Sequence, residues 1–275
     1  VTADDVVDRT EATSRRRPPP LRVAAWILLA TSVGVQIAFP LTGGGNVVLT
    51  TIVVVAMSAA MLCHSAATHG VRGLLCLLVV AGGGGLLAEA VGVHTGIPFG
   101  DYAYTGALGG EILGVPVVVP LAWIMMSWPA FVVARRISGR KLWAVPLLGA
   151  YALTAWDVFL DPQMVDAGYW RWSSPHPALP GVEGIPLTNF LGWLLVSALM
   201  MAVLSVAIGR REPASTTDRR AAELLPLVAY LWVYGSSVIA HLVFFGRPPV
   251  ALVGGLVMGV VAIPLAVSVF REVRR

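Results

Sequence analysis

Eight long apolar stretches with mostly short connections constrain this chain more than any other feature of its sequence. They are Val23–Pro40, Val47–Ala67, Val71–Val93, Val115–Ala134, Leu142–Val165, Leu187–Ile208, Ala222–Phe245 and Val250–Phe270. About 20 apolar residues carry a helix across the ~30 Å hydrocarbon core of a bilayer, and each stretch is near or above that length. Hydrophobic residues make up 57% of the 275 and charged residues only 12%, whereas soluble domains carry roughly a quarter charged residues. The chain's solvent is therefore mostly lipid. The expected fold class is all-α: a polytopic membrane helical bundle of about eight transmembrane helices, with residues 21–275 forming a single domain. Only the connections 94–114 and 166–186 are long enough to hold structure of their own.

Charge placement sets the expected orientation. If the N-terminus is cytoplasmic, every one of the 19 basic residues except Arg171 and Arg247 falls on the cytoplasmic side. That is the positive-inside pattern, and it makes both termini cytoplasmic. The net charge of +4 then reflects membrane anchoring, and no nucleic-acid partner is expected. Residues 1–20 are charged, end in prolines and lack apolar periodicity, so a disordered cytoplasmic tail is expected there. The run after Arg17 is long and has no small-residue cleavage pattern, which argues against a cleaved signal. Cys63 and Cys76 lie inside apolar runs and suggest no disulfide framework.

The acids sort the other way. Glu89, Asp101, Glu111, Asp157, Asp161, Asp166 and Glu183 all lie at or beyond the extracytoplasmic helix ends, with His94, His176 and His241. Ionisable groups near hydrocarbon are costly and mark functional sites. Two segments concentrate them: Glu89 to Tyr104, and Asp157 to Trp193. Asp157 and Asp161 are one helical turn apart and project from one face. Two partly desolvated carboxyl groups at that spacing do not both ionise comfortably, and a carboxylic acid held neutral is what a general acid requires. The plainer alternative has one aspartate capping the loop and the other pairing with Arg171. Glu89 and His94 are five residues apart, not at the one-turn spacing of a helical metal pair, so no metal site is read.

Aromatic residues crowd the same end: Phe99, Tyr102, Tyr104, Trp123, Trp156, Tyr169, Trp170, Trp172 and Trp193. They suit either an interfacial belt or a pocket whose π faces shelter a cation. The 166–186 connection has the length of a lid or binding element, Asn189 sits just inside the run that follows, and His241 is placed to join an acid. Gly82–Gly85 in the third stretch offers either close helix packing or a flat wall for a ligand. Pro116 and Pro120 fall in the first turns of the fourth stretch, where Pro120 should bend the helix.

Taken together, Glu89…Thr95-Gly-Ile-Pro-Phe-Gly-Asp-Tyr-Ala-Tyr104, Gly114-Val-Pro116…Trp123, Asp157-Val-Phe-Leu-Asp-Pro162…Gly168-Tyr-Trp-Arg-Trp172 and Gly184-Ile-Pro186…Asn189-Phe-Leu-Gly-Trp193 resemble the carotenoid biosynthesis family of integral membrane proteins. That family includes CruF-type carotenoid 1′,2′-hydratases and bisanhydrobacterioruberin hydratases. The likeness covers roughly residues 25–270 and is most specific over 89–193. It implies addition of water across the terminal isopropylidene double bond of an acyclic carotenoid end, giving a tertiary alcohol, with no cofactor. For that reaction the sequence itself supplies candidates, with Asp157 or Asp161 the expected proton donor. Glu89 or Asp101 would position or deprotonate the water. Tyr102, Tyr104, Trp123, Trp156, Trp170, Trp172, Asn189, Trp193 and His241 would hold substrate. The expected partners are a carotenoid from the bilayer, water, membrane lipids and other carotenoid biosynthesis enzymes, and the expected location is the cell membrane.

Two other readings stay open. Asp157-x-x-x-Asp161 is faintly similar to the magnesium–diphosphate motif of UbiA-type membrane prenyltransferases, although diphosphate chemistry needs basic residues near the acids. A carotenoid-binding or transport protein is the non-enzymatic alternative.

Overall fold

A computed structural model describes residues 20–42, 46–139, 141, 143–209 and 216–273. Helices occupy most of each apolar stretch: α1 (Pro20–Ala38), α2 (Val47–Cys76), α3 (Gly84–Thr95), α4 (Val118–Ile137), α5 (Ala144–Asp166), α6 (Leu187–Ile208), α7 (Thr216–Ile239) and α8 (Pro248–Val273). A 3-10 turn (Phe39–Thr42) follows α1, while π-helical segments link α2 to α3 (Leu77–Gly83) and follow α7 (Ala240–Phe244). The tail expected over residues 1–20 lies almost wholly outside the described residues.

Among the described residues, seven continuous runs are long and apolar enough to cross a membrane. One of them, Val47–Thr95, has 49 residues, more than twice the ~20 that one crossing needs. It reverses at Gly70, whose φ of 67° is open to glycine at little cost. A Cβ on Gly73 would lie 2.6 Å from the Ser65 carbonyl oxygen, although eight residues of straight helix span about 12 Å. Contacts along α4 agree: Trp128 Nε1 bonds His64 on the outgoing arm, and the Trp123 ring covers Gly85 on the returning arm. Seven runs therefore supply eight spans.

Local signals set the boundaries. Asn46 caps α2 by accepting from the Val48 and Leu49 amides. Gly96 (φ 73°) closes α3 as a left-handed C-terminal residue. The fourth span begins at Val118 rather than Val115, because Val115–Pro116 (β3) pairs instead with Glu111–Ile112 (β2). Their turn uses positive φ at Leu113 and Gly114. Pro120 consequently sits in the first turn of α4, where its missing N–H costs no helical hydrogen bond. The bend expected at Pro120 loses its physical basis, and the interior proline of α4 is Pro129.

At one end of the bundle the ends of α4, α7 and α8 are tied by Arg136, which pairs with Glu223 at 3.0 Å and Glu272 at 2.7 Å. The two long connections cover the opposite end. There Tyr102–Tyr104 (β1) pairs antiparallel with Trp170–Trp172 (β4), in the register Tyr102↔Trp172 and Tyr104↔Trp170. Alternation along both strands turns these four rings inward and leaves Ala103 and Arg171 exposed. A further hairpin, Ala178–Leu179 (β5) with Val182–Pro186 (β6), leads into α6.

Gly192 is the tightest point between this cap and the bundle. A Cβ there would lie 2.7 Å from the Pro98 carbonyl oxygen and 2.8 Å from Phe99. Gly82 and Gly85 are likewise pressed against Ile124 and Trp123, whereas nothing crowds Gly83 or Gly84 within about 3.9 Å. The glycine turn thus serves helix packing; it does not line the cavity described below. Gly192→Ala should cost about 1–3 kcal/mol of stability, while Gly83→Ala should leave the unfolding midpoint in detergent unchanged. A thermal-unfolding comparison of the two variants checks this.

Candidate active site

The cap and bundle enclose a cavity of about 580 Å³ whose wall carries Glu89, Tyr102, Tyr104, Trp123, Trp156, Asp161, Trp170, Trp172, Asn189 and Trp193. Two carboxyl centres face it. The first is Glu89, buried in the last turns of α3. Its Oε2 accepts from Tyr102 at 2.5 Å and Tyr104 at 2.9 Å, and its Oε1 accepts from Trp123 Nε1 at 3.0 Å. All three partners donate, which suits a carboxylate, and three donors leave one of its roughly four acceptor positions open. Burial first, and then the neighbouring Glu89 charge, raises the pKa of both Tyr102 and Tyr104 well above the ordinary tyrosine value. Because the shift is upward, both phenols remain protonated through the ordinary tyrosine range and keep donating to Glu89.

The second centre is the aspartate pair of α5. Asn189 Nδ2, at the start of α6, donates to Asp157 Oδ2 at 2.9 Å and to Asp161 Oδ2 at 2.5 Å. Trp170 Nε1 donates to Asp161 Oδ1 at 3.2 Å. Asp161 lies in the cavity wall and Asp157 behind it, its Oδ1 buried without a hydrogen-bond partner. The basic residue at this helix end is Arg247, not Arg171: it bonds the Pro162 carbonyl and pairs with Asp166. Arg171 is exposed on β4.

The aromatic residues form the wall between the two centres. Trp123 and Trp193 stack with centroids 4.0 Å apart, and Trp156 meets Trp193 edge-on at 6.2 Å. Trp172 Nε1 donates to the Phe99 carbonyl at 3.0 Å, and Ser173 N donates to that of Asp101 at 2.8 Å. These bonds join the two polar connections into one roof.

Two sequence candidates stand apart. Asp101 is exposed on the outside of the roof and takes part through its backbone. His241 is buried on α7's π segment, stacks on Phe159 at 5.6 Å and hydrogen-bonds the Phe159 carbonyl at 3.0 Å; it is not in the cavity wall. Sequence reasoning missed the other flank, formed by Gln36, Thr50, Leu160, Gln163 and Trp232. Gln36 and Gln163, amides inside apolar runs, were the available signals.

Fold and site define a polytopic helical-bundle protein with a buried acid and aromatic cavity. The chain belongs to the carotenoid biosynthesis protein family, whose family model matches residues 45–262. It is also similar to the bisanhydrobacterioruberin hydratase of Haloarcula japonica, at 30% identity over 126 residues, 44% of this chain and 41% of that protein. The match thus spans less than half of that relative. No solved structure matches the chain.

Proposed function

We propose that this protein is a carotenoid hydratase, adding water without a cofactor to the terminal isopropylidene double bond of an acyclic carotenoid end. The observation that carries the reading is the pairing of Asp161 and Glu89 on one mostly apolar, aromatic-walled cavity. Asp161 delivers a proton to the less substituted alkene carbon, with Asp157 and Asn189 fixing its orientation. The positive charge then sits on the tertiary carbon, where the faces of Trp123, Trp156 and Trp193 lower its energy. Water held at the open acceptor position of Glu89 attacks that carbon and gives its proton to Glu89. Return of this proton to Asp161 resets the site. The net change is alkene plus water to tertiary alcohol, with no oxidation or reduction.

Hydratase chemistry suits this wall better than transfer from a diphosphate donor. Among the described residues lining the cavity there is no lysine or arginine to hold a diphosphate. Co-expression with lycopene synthesis in a bacterial host should yield pigment heavier by one water per modified end. Unchanged pigment, or a product lengthened by prenyl units, would overturn the reading.

A further inference from the structure

Beneath the roof the cavity extends sideways, from Asp161 and Glu89 to the seam between α1 with its 3-10 turn and the C-terminal half of α7 with its π segment. At that seam its wall includes Ile37 (57% exposed), Leu41 (77%), Ile239 (56%) and Phe244 (50%). Side chains that line the cavity and also face outward at membrane depth mark an opening to lipid. The seam is lightly built. The buried residues of α1 are Ala25, Leu29 and Ser32, and Ser32 ties it to α2 through the Val53 carbonyl. Among the described residues, Trp232 Nε1 of α7 donates to Gln36 Oε1 of α1 at 2.6 Å across the opening, and Phe39 meets Phe245, just after the π segment, edge-on at 6.2 Å. The backbone beside them is irregular, with a π segment at Ala240–Phe244, a feature that recurs at functional sites. Gly235 lies in the same wall, and a Cβ there would meet nothing within 4 Å.

We propose that this seam is a lateral portal, latched by Gln36–Trp232 and Phe39–Phe245. An apolar polyene chain passes through it from the bilayer, so that one end reaches the acids while the remainder stays in lipid. The occupant is a long isoprenoid hydrocarbon, because the passage is mostly apolar and opens between two spans apolar enough to cross a membrane. This deepens the proposed function and rests on it for the identity of the reacting end.

Gly235→Phe and Gly235→Leu fill the passage from a position with free space, so they should insert and fold like the native chain. Val206→Phe, on the exposed face of α6 outside the cavity, is the control. Each protein is made in a lycopene-producing host and extracted in mild detergent. Retained polyene per protein is read by absorbance, and hydrated product by mass spectrometry. The portal predicts several-fold less retained polyene and at least tenfold less product for both Gly235 variants, with the control at the native level. Native retention in both Gly235 variants overturns the portal, as does a native protein that retains none. Retained pigment without hydrated product in the native protein supports the portal while overturning the hydratase reading.

Discussion

Asp161→Asn is expected to lower formation of hydrated carotenoid by about 100-fold or more, the range over which a positioned general acid acts, while the protein still inserts. Asparagine keeps the size of the side chain and one oxygen, so it removes the acid while leaving an acceptor for either Trp170 or Asn189, which donate to different Asp161 oxygens. Asp161 is singled out over Asp157 because it lies in the cavity wall, whereas Asp157 touches Asn189 from behind. Asp157→Asn should therefore cost less and act through placement of Asp161. Pigment analysis with immunoblotting for protein level reads both. Full product from Asp161→Asn would remove this carboxyl group from the chemistry, and a larger loss from Asp157→Asn would exchange the two roles.

Substitution of Glu89 should separate stability from catalysis. Glu89→Leu leaves the Tyr104 and Trp123 donors without their acceptor and Tyr102 with only the residue 89 carbonyl, at 3.3 Å. At about 1–3 kcal/mol for each unsatisfied group, the protein should fail to accumulate. Glu89→Gln retains an oxygen for part of the network, so it should fold, yet it removes the base that takes the proton from water and should reduce turnover about 100-fold. Fluorescence-detected size exclusion reports folding, and hydrated product reports turnover. Glu89→Gln at native turnover would reduce Glu89 to a structural acceptor.

Much of this arrangement could be read from the sequence because lipid imposes strict rules. Helix length is fixed by bilayer thickness, so the spans fell within a few residues of Val47, Leu187 and their counterparts. Acids in such a setting stand out by their cost, which drew Glu89, Asp157 and Asp161 together before any contact was visible. Asp101 misled because it sits in the same motif as Tyr102 and Tyr104, yet alternation along β1 turns it outward. His241 was placed at the correct end, but a helical residue's azimuth depends on packing, and Phe159 takes its ring. The glycine turn fitted both packing and a ligand wall; Trp123 and Ile124 fill the space over Gly85 and Gly82. The portal was hidden for a different reason. Ile37, Leu41 and Ile239 look the same in sequence whether they face lipid or a passage, and the polar residues beside them, Gln36, Ser236 and Ser237, carry no mark of an opening. The pairing of β1 with β4 was also out of reach, since three-residue strands in separate connections carry no signature of register.

The most direct test of the central claim is turnover of an acyclic carotenoid by the purified protein in water enriched in heavy oxygen. The account predicts a tertiary alcohol carrying one heavy oxygen atom at each modified end, formed without added redox cofactor or diphosphate and absent with Asp161→Asn. A product whose oxygen is unlabelled, or one formed equally well by Asp161→Asn, would contradict it.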